Sequence, residues 1–394
     1  MLLKDHPENQ EVHEQKDASQ QSEQPLDAPQ SHTKEQHHQD TETIEQKTID
    51  NISLTQEFKN LFNNTTRSIG KLAGNDEVLK INLADMFSEV FKPHIKQEMD
   101  EVFIAGTEYT TPQLDEVSKE WAKPFLFSRI FLGLATVFAL LWIMVAFFGN
   151  PNGIGGLIFI GALTVPLPVL IFFFESNAFK NISIAIVFKI FFIGGVLSLI
   201  STLTLYEFVP VSDDITIFSA ILIGIVEEMG KAIVTIYFIQ RMNTYKILNG
   251  LLIGAAVGTG FEVFESAGYI FRFIPEGFDV MTQVIWLRAW TGIGSHNVWT
   301  AIVGAAVVIT KGSQKFNWAH LADKRFLFFF GSAVTLHAVW DMPIAEDGII
   351  KSILLITLGW LLTFILMKAG LSQVTQLQME AMKMNEAHQT QAQE

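Results

Sequence analysis

The chain has no cysteine, and this absence excludes several kinds of covalent bond, metal site and catalytic residue. Disulfides, thiolate zinc sites and cysteine nucleophiles are all excluded. We also expect no cleavable signal sequence, because Met1, Leu2 and Leu3 are followed at once by charged residues. We therefore expect the first apolar segment to act as its own membrane-insertion signal.

Large apolar side chains are almost absent from residues 1–50, which are rich in Gln, Glu, His and Ser. Such a composition cannot form a buried core, so we predict a disordered acidic tail. An acidic tail binds nucleic acid poorly and is repelled by anionic lipid, so no nucleic-acid partner is expected. From Leu79 to Phe103, apolar residues recur at helical spacing, which predicts short amphipathic helices within a cytoplasmic region at 51–124.

Long apolar runs occupy the chain between 125 and 370. Runs of about 20 apolar residues are typical of membrane-spanning helices. The sequence therefore predicts an all-α fold, a polytopic bundle of eight transmembrane helices in the lipid bilayer, followed by a polar cytoplasmic tail at 371–394. The predicted spans are 125–148, 153–174, 182–206, 215–240, 246–272, 285–309, 326–345 and 349–368.

Lysine and arginine are concentrated in the loops on one side of these spans, for example at Arg241, Lys246 and Lys315. The loops on the other side contain mostly acidic residues. Because positively charged loops stay in the cytoplasm, both termini are predicted to be cytoplasmic. Lys189, in the third predicted span, is close enough to the end of that span to reach the membrane surface.

Eight further ionisable residues lie inside four consecutive predicted spans. A charge at mid-bilayer costs at least about 2.5–3.5 kcal/mol, so such residues are expected to face a bundle interior and serve a site. With a rise of about 1.5 Å per residue, all of them fall in the outer half of the membrane or near its midplane. This arrangement indicates one polar centre suited to hydrolysis or ion movement. The eight residues are Glu227, Glu228, Lys231, Glu262, Glu265, His296, His337 and Asp341.

The spacing of these residues favours acid–base chemistry. Glu227 and Glu228 lie within one helical turn of Lys231, so either can form an ion pair with it. The two adjacent carboxylates also repel each other, which favours one of them as a general base for water. His337 and Asp341 lie four residues apart, so Asp341 can orient the imidazole where the two side chains meet.

Together these motifs resemble those of the PrsW family of bacterial intramembrane proteases. They are Glu-Glu-x-x-Lys at 227–231, Phe-Glu-x-x-Glu at 261–265, the lone His296, and His-x-x-Trp-Asp at 337–341, in the expected order on consecutive spans. The resemblance covers about 125–370. It implies a peptidase of the bacterial cell membrane that cleaves a membrane-anchored protein substrate near its outer end, as in the first cut of an anti-sigma factor.

That family is similar, more distantly, to the CAAX-type prenyl endopeptidases, which are regarded as glutamate-dependent and need no cofactor in this interpretation. By that likeness, Glu227 or Glu228 would activate the attacking water, and Glu265 would occupy the place of a histidine that orients it. His337 would polarise the scissile carbonyl. Asp341 replaces the commoner asparagine and cannot donate a hydrogen bond when ionised, so it is expected to orient His337 or stay protonated. The supporting residues are Lys231, Glu262, His296 and Asp341.

Two alternative functions stay open at this stage. A zinc metalloprotease would use His296, His337 and Glu265 as ligands, although the sequence has no His-Glu-x-x-His motif. A proton-coupled transporter would use the same kinds of intramembrane residues, although no second Glu-Glu-x-x-Lys motif indicates duplicated halves. Metal analysis and flux measurements in liposomes discriminate between these alternatives.

Overall fold

A computed structural model describes residues 55–210, 215–344 and 348–391, and all regular secondary structure in these residues is helical. The chain divides into two units, 1–59 and 60–394. Of the first unit only 55–59 are described, and they are helical. The predicted disordered tail at 1–50 lies outside the described residues.

Short helices precede the apolar part of the second unit. Helix α1 covers 60–72 within this unit, α2 covers Leu83–Met86 and α3 covers Lys96–Phe103. The segment that follows is held against the end of the chain, because the Gln378 side chain donates to the carbonyl oxygens of Leu114 at 2.7 Å and Val117 at 3.0 Å.

Six helical segments among the described residues are long and apolar enough to cross a membrane, so this is a multi-pass membrane protein. A π-helical stretch, Ile190–Gly194, joins two of the helices below. The six segments are α4 (Leu126–Ala146), α5 (Ile154–Leu163) with α6 (Pro166–Glu175), α7 (Ile184–Lys189) with α8 (Gly195–Tyr206), α10 (Ile247–Arg272), α11 (Phe278–Thr291) with α12 (His296–Lys311), and α15 (Gly348–Gln391).

Two of the eight predicted spans are not among these six long apolar segments. They are helical, as α9 (Ile217–Arg241) and α14 (Lys324–Asp341), and the short helix α13 (Trp318–Leu321) precedes α14. Helix α9 carries Glu227, Glu228 and Lys231 within its apolar stretch, whereas α14 carries Lys324 and Arg325 at its start and Asp341 at its end.

Two predicted boundaries differ from the structure. The predicted span 285–309 is not one helix, because the chain breaks at 292–295 between α11 and α12. The break is held by the Asn297 side chain, which donates to the Gly292 carbonyl at 2.7 Å, and by the Trp360 indole, which donates to the Ile293 carbonyl at 3.0 Å. The predicted polar tail at 371–394 continues α15 as far as Gln391.

Helix α10 lies at the centre of the bundle, and most of its residues are buried. It packs closely on α12 because glycines line the contact. A Cβ atom at Gly250 would lie 2.6 Å from the Gly304 carbonyl oxygen, and one at Gly258 would lie 2.8 Å from Thr300 Cβ and would also meet the backbone oxygen of His296. This close approach places His296 beside the acidic residues of α10.

Candidate active site within the bundle

Helix α9 supplies two glutamates and a lysine to the interior of the bundle. Lys231 Nζ lies 2.6 Å from Glu228 Oε1 and 3.9 Å from Glu227 Oε2, and both Lys231 and Glu228 are fully buried. Glu227 Oε1 accepts a hydrogen bond from the Tyr206 hydroxyl at 3.1 Å, while its Oε2 has no hydrogen-bond partner among the described residues. Lys231 therefore pairs mainly with Glu228 and leaves one oxygen of Glu227 free.

His337, on α14, is held by Glu228 across the helix interface. Its Nδ1 lies 2.9 Å from Glu228 Oε1, and an ionised carboxylate can only accept, so Nδ1 donates. Its Nε2 lies 3.6 Å from Glu227 Oε2 and 3.4 Å from Asp341 Oδ2. Asp341 therefore does approach His337, as the spacing predicted, but Glu228 is the residue that fixes the Nδ1–H tautomer.

His296 is the first residue of α12 and lies just after the helix break. Its Nδ1 lies 2.6 Å from Lys231 Nζ and its Nε2 lies 3.1 Å from Glu265 Oε2. Because an ammonium group can only donate, Nδ1 accepts from Lys231, and Nε2 is left to donate to Glu265. The His296 and His337 rings meet edge to face with centroids 4.9 Å apart.

The second acidic pair, on α10, is held by groups around the helix break. Glu262 Oε2 accepts from the Ser295 hydroxyl at 2.5 Å and from the His296 backbone N–H at 3.3 Å, so this carboxylate lies at the N-terminus of α12. Arg288, on α11, forms an ion pair with Glu265 and lies 3.5 Å from Glu262 Oε1. Its Nε donates to the Ser266 hydroxyl at 2.8 Å.

Arg288 is the main residue that the sequence interpretation missed. It lies inside the predicted span 285–309. The signal was present in the sequence, because Arg288 is a cation within an apolar stretch that contains no acidic residue to pair with it locally. Lys189, by contrast, lies on α7 with an exposed side chain, as expected for a residue that reaches the membrane surface.

All eight predicted residues are brought into one connected network. Glu227, His296 and His337 each offer a potential ligand atom, and these atoms lie within 4.8 Å of one another. The alternative metal set proposed from sequence had Glu265 in place of Glu227. In the structure Glu265 is held by Arg288 and His296, so Glu227 is the carboxylate that completes the set.

Charge in this centre is unbalanced. In the described part of the chain, only two permanent cations, on Lys231 and Arg288, face the five carboxylates of the centre. These carboxylates belong to Glu227, Glu228, Glu262, Glu265 and Asp341. Unpaired carboxylates buried within a membrane protein are costly, so the centre requires protons or a further cation to be stable. The side chains of Tyr206, Glu265, Arg288 and Asp341 are partly exposed and form the accessible side of the centre.

Comparison with known families agrees with this geometry. A family model described as PrsW family intramembrane metalloprotease matches residues 165–369, just over half of the chain. The matched residues include α8, α9, α10, α11, α12 and α14, the helices that contribute to the polar centre. No curated protein and no solved structure matches the chain.

Proposed function

This chain belongs to the PrsW family of intramembrane metalloproteases and is a membrane peptidase, and from that membership we propose that it hydrolyses peptide bonds of membrane-anchored proteins at the centre formed by Glu227, His296 and His337. The observation that carries the proposal is the convergence of these three residues, from three different helices, with ligand atoms within 4.8 Å of one another. Helices held together only by local ion pairs would not need such a convergence.

The residues fit a divalent metal such as zinc. Two imidazoles and one carboxylate are a common catalytic zinc set. His337 presents the lone pair of Nε2, because its Nδ1 donates to Glu228. Nε2 of His296 donates to Glu265, so His296 would bind a metal through Nε2 once that proton is transferred to the Glu265 carboxylate. Glu227 Oε2 is buried without a hydrogen-bond partner, and the surplus of carboxylates favours a cation.

We therefore propose that Glu227, His296 and His337 hold this metal, which would polarise the attacking water and the scissile carbonyl. The metal-free centre predicted from the CAAX-type likeness stays a prediction. Of the two glutamates predicted as the base, Glu227 is the one that contacts the reacting atoms. Glu228 is a positioning residue, because both Lys231 and His337 bind it.

The remaining residues have separate roles in this proposal. Asp341 lies beside His337 Nε2 and has no permanent cation within ion-pairing distance among the described residues, so it is placed to take the proton of the water and deliver it to the leaving amine. The Tyr206 hydroxyl, on the accessible side, donates to Glu227 Oε1 in this structure and would donate to a developing oxyanion after it leaves that oxygen. Arg288 and Glu262 hold Glu265 and the start of α12, and so position His296.

We propose that the chain crosses the membrane eight times with both termini in the cytoplasm. Helices α9 and α14 complete the eight, since Glu227, Glu228 and Lys231 of α9 and Asp341 of α14 join the polar centre within the bundle. In this orientation the centre lies toward the outer side, so cleavage occurs near the outer end of the substrate's span, as in processing of a bacterial anti-sigma factor.

The test is a comparison of new protein N-termini in membranes that contain the full chain or its Glu227→Gln variant. We expect new termini next to single transmembrane segments with the wild-type chain, and their loss with Glu227→Gln at equal protein level. Glu276→Gln, in the exposed turn after α10, is the matched control and retains cleavage. Asp341→Asn is expected to slow cleavage. Identical termini with wild-type and Glu227→Gln chains contradict the proposal.

A further inference from the structure

A long apolar groove lies between α4, α6, α11 and α15, with a cavity volume of about 1150 Å³. In the described part of the chain, no charged residue lines it. Helix α4 lines it from Phe127 through Ala135 to Trp142, at positions that share one face. From Phe127 to Trp142 the helix rises about 23 Å, which is most of the roughly 30 Å hydrocarbon thickness of a bilayer. The groove is therefore long enough for a membrane-spanning segment.

Aromatic contacts join α4 to neighbouring elements at two levels of this groove. Toward the C-terminus of α4, Phe138 contacts Trp286 with ring centroids 5.6 Å apart. Toward its N-terminus, Phe87 contacts Phe127 with centroids 6.1 Å apart. Between these contacts Ala135 of α4 and Trp360 of α15 form part of the lining. Beyond the Phe138 contact the groove continues along α4 as far as Trp142 and Ile143.

Helix α11 is the wall that the groove shares with the polar centre. Trp286, Trp290 and Ile293 line the groove, while Arg288 on the same helix binds Glu265 in the centre. The Ile293 carbonyl accepts from the Trp360 indole at 3.0 Å, and Ile293 lies three residues before His296. The groove is therefore continuous with the helix break that carries His296.

We propose that this groove docks the transmembrane helix of the protein substrate and places the adjacent peptide beside the break at 292–295. The inference rests on the proposed function and names how its substrate is held. The occupant is an uncharged apolar helix, because the lining offers no charged partner and its length covers most of a membrane span. Helix α4 precedes the matched residues 165–369, so this wall of the groove lies outside the part of the chain that defines the family.

Disulfide crosslinking tests the docking without requiring catalysis. The chain has no cysteine, so a single one can be placed in the groove by Ala135→Cys, or on an open position of the same helix by Gly133→Cys. Each is made in the full-length Glu227→Gln chain in liposomes. The probe is a synthetic peptide with one span of about 20 leucine and alanine residues and a central cysteine.

We expect the peptide to crosslink several-fold faster at position 135 than at position 133. Equal rates at the two positions overturn the proposal. A disulfide between two copies of the chain at position 135, formed in preference to the peptide, shows self-association and also overturns it. Labelling of position 135 by a thiol-reactive lipid that the peptide does not displace assigns the groove to lipid, with the same consequence.

Filling the groove gives a second, kinetic test on the active enzyme. Ala135→Trp is expected to raise KM about tenfold, equivalent to about 1.4 kcal/mol of lost binding, with little change in kcat. Gly133→Trp is the matched control and leaves both unchanged. An unchanged KM for Ala135→Trp overturns the docking proposal. Selective crosslinking without any proteolysis would instead retain the docking groove and reject the proposed function.

Discussion

Nδ1 of His337 lies 2.9 Å from Oε1 of Glu228, and the two residues come from different helices, α14 and α9. Both side chains are buried, and the same Glu228 oxygen lies 2.6 Å from Lys231 Nζ. A carboxylate behind an imidazole fixes the orientation and tautomer of the ring, an arrangement common around metal-binding histidines. The bond directs His337 Nε2 toward Glu227 and Asp341.

Replacing Glu228 by glutamine is expected to lower the cleavage rate about 10- to 100-fold, the usual effect of losing a group that orients a metal-binding histidine. The amide retains the size of the side chain but not its charge. Cleavage of a single-span substrate in liposomes measures the effect, and Glu276→Gln is the control. Full activity of Glu228→Gln at normal protein level would show that Glu228 does not position His337.

Replacing Lys231 by methionine is expected to destabilise the protein by about 3–5 kcal/mol, because it leaves the buried Glu228 carboxylate without its cation. The double variant Lys231→Met/Glu228→Gln should recover much of that loss, since the unpaired charge is then also removed. Thermal unfolding in detergent measures all three proteins. A double variant as unstable as the sum of the single variants would show that the ion pair is not the cause.

Metal analysis of the purified chain is expected to find about one zinc per chain, the stoichiometry of a single catalytic site. Chelation should abolish cleavage, and added zinc should restore it. Glu227→Gln, His296→Ala and His337→Ala should each lose the metal, whereas His320→Ala, on α13 outside the centre, should retain it. An active chain without bound metal would favour the glutamate-dependent centre predicted from sequence.

Replacing Arg288 by glutamine is expected to cost about 1–3 kcal/mol of stability, because Glu265 loses its permanent cation and Ser266 loses a donor. Arg288→Lys should restore part of this, since it supplies the charge without the forked geometry. The Arg288→Gln variant should also cleave more slowly, as His296 is then held less firmly. Arg272→Gln, at the exposed end of α10, is the control.

The sequence alone identified eight residues of the centre, although not Arg288 or Tyr206, for a definite physical reason. Charges inside apolar runs are costly, so acids and histidines at 227–231, 262–265, 296 and 337–341 stand out against their surroundings. The contrast between apolar runs and polar loops also located the helices. For example, α4 and α10 begin and end within two residues of the predicted spans. The break at 292–295 was not predicted, because hydropathy treats the small residues there as part of a continuous apolar run.

Helical periodicity predicts which residues share a face of one helix. The sequence could therefore predict contacts within each helix of the centre, but not contacts between helices. It placed Asp341 beside His337 and Lys231 beside the two glutamates, both contacts within a single helix. The partners from other helices were decided by the tertiary structure: Glu228 for His337, Lys231 for His296, and Arg288 for Glu265. Such contacts depend on how α9, α10, α11, α12 and α14 pack, and the close packing of α10 on α12 through glycine sets that geometry.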